Sequence, residues 1–174
     1  MAGELPDYLI PGLDLVVVGF NPGIASGMSG HYYAAPSNAF WRLIHESGLV
    51  PRRFHPAEDH LLLGFGIGFT DIVKRMSQGA SDLSPRELAE GAPVARAKVA
   101  AVAPRFVAVT GKGVYRALTG ERDAPYGLSH ERIGAAPIFV APSPSGLSGI
   151  PYREKLAHWK DLARLVRATA EVPS

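Results

Sequence analysis

Asp14-Leu15-Val16-Val17-Val18-Gly19-Phe20-Asn21-Pro22-Gly23 is the stretch on which the fold turns. Residues 14–20 are a continuous apolar run rich in β-branched side chains, with no polar alternation. That pattern suits a strand buried on both faces, as in a parallel sheet, because a half-exposed strand would alternate. A turn follows directly. Gly19 and Gly23 can take backbone angles closed to other residues, and Pro22 is expected to stiffen the link between them. Asn21 is thereby presented on a tight loop at the carboxyl end of a strand, the edge of an α/β sheet where ligands gather. An amide there can hold a water by donating and accepting hydrogen bonds, although it is not a base. The other reading is that Asn21 simply satisfies the turn backbone, as asparagine commonly does.

Working outward, three further apolar runs stand at residues 64–70, 105–110 and 137–141, the first diluted by three glycines. Helical patterns lie between them. Residues 36–47 set Phe40, Leu43 and Ile44 on one side, with Ser37 available as a cap. Ser84-Pro85-Arg86-Glu87 opens a second helix with a capping-box spacing, running to about Val102 with a break expected near Gly91-Ala92-Pro93. Residues 112–118 form a short helix ending at Gly120. Residues 152 to about 169 place Leu156, Trp159, Leu162 and Val166 at amphipathic spacing. Strands alternating with helices predict an α/β fold, a three-layer αβα sandwich around a mainly parallel four-stranded sheet. No linker, repeat or low-complexity tract divides the chain, so residues 1–174 are expected to form a single domain.

Composition sets limits on function. Hydrophobic residues make up 47% and charged residues 20% of the chain, the balance of a folded protein rather than a disordered one. There is no cysteine, which removes disulfides, thiolate metal sites, iron–sulfur clusters and cysteine nucleophiles together. The six histidines show no HExxH-type pairing, so a protein metal site is not expected. The amino terminus lacks the cationic start and apolar run of a signal peptide, and no apolar stretch approaches the ~20 residues of a membrane span. The expectation is a cytoplasmic protein without membrane contact. A net charge of +2 permits an anionic partner without demanding one.

A second loop changes the balance. Pro142-Ser143-Pro144-Ser145-Gly146-Leu147-Ser148-Gly149 follows the last apolar run and belongs on the same rim. A leucine at the tip of a polar, glycine-bearing loop suits a wedge that fills the space left by a flipped nucleotide. The alternative is a leucine tucked back into the core. Together the two loops resemble the mismatch-specific uracil and thymine DNA glycosylases, a branch of the uracil-DNA glycosylase superfamily. Residues 19–23 are similar to that branch's G-I-N-P-G, with Phe20 for isoleucine. Pro36-Ser37-Asn38-Ala39-Phe40-Trp41 is similar to its P-x-N-x-F-W, and residues 144–148 to the wedge loop of bacterial members. Residues 66–73 and 110–115 fall in step as well, so the resemblance spans residues 13–165 without large insertions.

The resemblance implies a monofunctional glycosylase, bacterial and acting at the nucleoid, that hydrolyses the N-glycosidic bond of uracil, thymine or another damaged pyrimidine in mismatched duplex DNA. Its partner is double-stranded DNA with a G:U or similar mismatch, and a monomer suffices. Asn21 positions the attacking water, backbone N–H groups around Phe20 bond the pyrimidine oxygens, Tyr33 stacks on the flipped base, and Ser26 lies near the face of a pyrimidine methyl. Leu147, carried by Ser145, Gly146 and Ser148, is the wedge. Lys112, at a helix start, and Arg153 and Lys155, after the wedge loop, meet phosphates or form a solvated basic face.

Two departures from the family pattern stand out. Relatives tend to carry asparagine or lysine where this chain has Asp71, a carboxylate that serves as the general base an amide cannot be, or caps the following turn, or pairs with Lys74 or Arg75. Bacterial relatives often carry arginine at the position of Gly149, so contact with the orphaned guanine is weakened. A damaged-DNA or abasic-site binding module with little turnover is the alternative to an enzyme. A doubly wound small-nucleotide domain is a third reading, weakened because Thr110-Gly111-Lys112-Gly113 lacks a phosphate-loop fingerprint.

Overall fold

The computed structural model describes residues 3–170; residues 1–2 and 171–174, part of the expected single domain, lie outside the described residues. Strands β1 (Leu15–Gly19), β2 (Ile67–Asp71), β3 (Phe106–Thr110), β4 (Gly127–Ile133) and β5 (Ala136–Ala141) form one sheet in the order β2-β1-β3-β5-β4. The first three and β5 are parallel, and β4 is antiparallel to β5. The helices are α1 (Ile24–Ser29), α2 (Phe40–Glu46), α3 (Pro85–Val102), α4 (Lys112–Thr119) and α5 (Tyr152–Ala170).

The apolar runs become strands because both their faces are covered. Leu15, Val17, Phe69, Ala108 and Phe139 pack with Phe40, Leu43, Ile44, Trp159 and Leu162 of α2 and α5. Val16, Val18, Val107, Val109 and Val140 pack on the other side with Ala95 and Val99 of α3 and Val114 and Leu118 of α4. This is the expected αβα sandwich. No described helix is long and apolar enough to cross a membrane.

Three local expectations are corrected. The sheet has five strands, not four: β4 alternates half-buried and exposed residues along Gly-Leu-Ser-His-Glu-Arg and carries no apolar run. As an edge strand it needs only one buried face, and its charges protect the open edge. Helix α2 starts at Phe40 rather than Pro36, because residues 36–39 form a turn in which Asn38 Oδ1, not Ser37, accepts the Phe40 N–H (2.9 Å). Helix α3 continues through Pro93 without a break. Pro93 is exposed, and the buried Ala92 and Ala95 on either side hold the helix against the sheet, so packing outweighs the lost amide donor. Its capping box forms as expected, with Glu87 N–H on Ser84 Oγ (3.1 Å) and Ser84 N–H on Glu87 Oε2 (2.8 Å).

Candidate active site

Side chains alternate along each strand, so Gly19, Asp71 and Thr110, which close β1, β2 and β3, share the face of Val17, Phe69 and Ala108. Register places Gly19 opposite Asp71 and Thr110 opposite Ala141. Glycine at the first position leaves room for its neighbours: a Cβ there would stand 2.8 Å from Asp71 Oδ1, 3.4 Å from Tyr33 Oη and 3.5 Å from Thr110 Oγ1, and would force the carboxylate to shift. The carboxylate, the phenol and the hydroxyl thus converge over Gly19.

Asp71 is 5% exposed, and its Oδ2 has no hydrogen-bond partner among the described residues. Among these residues its side chain makes no hydrogen bond to the turn that follows and no ion pair with Lys74 or Arg75. Lys74 is held by Asp7, and Arg75 by Glu87 at 2.8 Å. Burial pushes the Asp71 carboxyl up to about 7; the Lys74 charge opposes this, and Asp7 adds to it. Such a group exchanges a proton near neutrality. Tyr33 has its ring stacked on Phe40 (centroids 4.1 Å, 25°) and a backbone φ of +52°, a left-handed conformation costly for a non-glycine residue. Burial, with Asp71 nearby, holds its phenol well above the ordinary range.

Asn21 is fixed by a second segment zipped along the turn. Ile72 N–H donates to Gly19 O (3.0 Å), Val73 N–H to Phe20 O (2.8 Å) and Ser77 N–H to Pro22 O (3.1 Å). Within this zipper, Asn21 Nδ2 donates to both Arg75 O and Ser77 Oγ, each at 2.8 Å. A carbonyl can only accept, so the amide orientation is settled and Oδ1 faces away from both partners. No described side chain or backbone group donates to that oxygen. The turn-satisfying role is therefore real, and it leaves Oδ1 without a donor among the described residues.

The wedge loop contributes an apolar tip. Leu147 is 81% exposed, not tucked into the core, and its Cδ1 lies 3.7 Å from where a Cβ on Gly79 would stand. Gly79 belongs to the segment holding Asn21, since its carbonyl accepts from Ser77 Oγ (2.8 Å). Within the loop, Ser145 Oγ accepts from Leu147 N–H (3.1 Å), Ser145 O from Ser148 N–H (3.1 Å), and Ser148 Oγ from Ile150 N–H (3.4 Å). Gly146 presses on Ser37 so closely that a Cβ would come within 2.7 Å of its side chain.

The other expected residues spread around this centre. The Phe20 ring lies against Gly113 of α4, which leaves its backbone at the turn. Ser26 is buried, and its Oγ accepts the Ala34 N–H (3.0 Å), tying down the segment that carries Tyr33. Lys112 is exposed at the start of α4 with Nζ 4.5 Å over the Tyr126 ring, and Arg153 is exposed at the start of α5. Lys155, expected beside Arg153 as a phosphate contact, is buried, and its Nζ donates to Ser145 O (3.1 Å). Thr110 and Ser77 were not expected at all; each meets its partner across more than fifty residues, and no local pattern marks either.

Two surface clefts are present, the first lined in part by Ile72 and Val73 of the segment zipped along the Asn21 turn. One of about 300 Å³ reaches Asp71 from the α3 side, and one of about 460 Å³ runs between β4 and α5. Among the described residues the group able to gather around a metal is Glu121, His130 and Glu131, on the edge strand and the segment before it.

The family model described as the Uracil DNA glycosylase superfamily matches residues 6–165. The chain is also similar in fold to a solution NMR structure from Methanosarcina acetivorans whose assignment as a uracil DNA glycosylase is provisional. The two are 19% identical, with 95% of this chain and 98% of that chain covered and a TM-score of 0.65.

Proposed function

This chain belongs to the uracil DNA glycosylase superfamily, and from that membership we propose that it is a DNA glycosylase of the mismatch-specific branch, removing uracil opposite guanine in duplex DNA. The observation that carries the reading is the pairing of a clamped Asn21, its Oδ1 unengaged, with a buried Asp71 whose Oδ2 has no partner.

In the reaction, the target nucleotide leaves the stack and Leu147 fills the gap. Asn21 Oδ1 accepts a hydrogen bond from water and holds it toward C1′ of the flipped nucleotide. As the C1′–N1 bond breaks, its electron pair leaves with the pyrimidine, and the water oxygen bonds to C1′. Asp71, ionised, takes the water proton. Proton transfer leaves Asp71 neutral as the pyrimidine anion forms, so the carboxyl does not repel its own product. Backbone N–H groups around Phe20 stabilise the departing oxygens, Tyr33 stacks on the base, and Ser26 borders the pyrimidine methyl position. Lys112 and Arg153 meet phosphates, while Ser145, Gly146 and Ser148 shape the wedge. Water is the only co-reactant, so no cofactor is required. One domain acting as a monomer is enough.

The test is a set of labelled duplexes carrying uracil opposite guanine, uracil opposite adenine, thymine opposite guanine, and single-stranded uracil, each treated with alkali after incubation. Strand cleavage strongest at uracil opposite guanine is expected. With glycine at position 149, the preference for guanine over adenine should be shallow. Binding without cleavage on every substrate would replace the enzyme with a damage-binding module.

A further inference from the structure

The wedge loop is poor in donors of its own. Pro142 and Pro144 lack N–H groups, and three of the loop's carbonyls take donors from outside it. Pro142 O accepts from Trp159 Nε1 (3.3 Å), Pro144 O from Ala39 N–H (2.9 Å), and Ser145 O from Lys155 Nζ (3.1 Å). The last donor is unusual. Lys155 is 5% exposed, and its one side-chain hydrogen bond among the described residues goes to that carbonyl, with no carboxylate paired to it. Burial pulls its ammonium below the ordinary lysine value.

An unpaired buried charge costs stability, and an apolar side chain of the same length would pack there more cheaply. Ser145 O would still keep Ser148 N–H. Fold stability therefore does not account for the lysine. Ser145 is the hub of the loop, since its Oγ also fixes the Leu147 N–H two residues along. We propose that Lys155 is the positioning residue of the wedge: its ammonium locks the Ser145 carbonyl and so fixes how Leu147 is presented to DNA. This rests on the glycosylase reading above.

The test is a double-mutant cycle of Lys155→Met and Leu147→Ala, read as single-turnover uracil release from a G·U duplex beside thermal unfolding. Lys155→Met is expected to slow release about tenfold in the wild-type background and less than about twofold once Leu147 is removed, because the two act as one unit. Its melting temperature should stay level or rise, whereas a purely structural lysine would lower it. Equal losses in both backgrounds, no loss at all, or a fall in melting temperature matching the lost rate would overturn the proposal. If wild type releases no uracil, the glycosylase reading fails by itself. The same cycle is then read from fluorescence anisotropy with a duplex holding a tetrahydrofuran abasic-site analogue, where additive effects would overturn the wedge proposal.

Discussion

Asp71 joins stability and chemistry in a single side chain. Its carboxyl is pushed up to about 7 by burial, whereas the same group ionises near pH 4 in an unfolded chain. Between those values the folded protein holds a proton that the unfolded chain has released. Asp71 therefore makes folding progressively less favourable as pH rises from about 4 to about 7, with no further change above. Asp71→Asn should gain stability at pH 8, on the order of 1–3 kcal/mol, and little at pH 4. Urea titrations at the two pH values check this; an equal gain at both would detach the effect from ionisation. For activity the sign reverses, because a general base works only when ionised. The rate of base release should rise through a limb near pH 7 that Asp71→Asn abolishes. Of these properties, the sequence shows a carboxylate at a strand end. Its unpaired Oδ2 is invisible there, because Lys74 and Arg75, the near neighbours, find partners in Asp7 and Glu87 instead.

Loops and helices differ in how far sequence specifies them. The Asn21 turn and the exposed Leu147 are legible as a turn after a buried strand and a lone apolar residue on a polar loop. The turn's glycines do not take the left-handed angles expected of them: Gly23 stands at φ −68°, and Gly19 is needed for the close approach of Asp71. The loop's anchoring is not legible, since its donors come from α5 and from Ala39, just before α2. Helix α3 shows the converse: local rules set a break at Pro93, and tertiary packing closes it. For the wedge element, Leu147→Ala should leave the melting temperature nearly unchanged, because an exposed side chain contributes roughly 0.5 kcal/mol or less. It should weaken processing of duplex far more than of single-stranded uracil. Parallel melting and single-turnover measurements separate the two, and equal losses on both substrates would remove the wedge role.

Across the whole molecule, four strands are legible because each is buried on both faces and carries few polar residues, although glycines dilute the run that becomes β2. The fifth, β4, is not, because an exposed edge selects polar and charged side chains that resemble a loop. The same geometry gathers the site: parallel strands deliver Gly19, Asp71 and Thr110 to one rim, with Lys112 and Arg153 exposed at the starts of α4 and α5. If those two cations meet phosphates, replacing either with alanine should reduce the slope of log affinity against log salt by about one. Titrations of duplex binding between low and physiological salt measure it, and unchanged slopes would move the DNA path elsewhere.

The most direct measurement is free uracil released from a G·U duplex in a single turnover, by wild type and by Asn21→Ala at equal, saturating protein. Wild type should release the base, and Asn21→Ala should be slowed by about 10²–10⁴ while still binding the duplex. Release by Asn21→Ala at the wild-type rate would contradict the central claim, leaving Asn21 as a brace for its own turn.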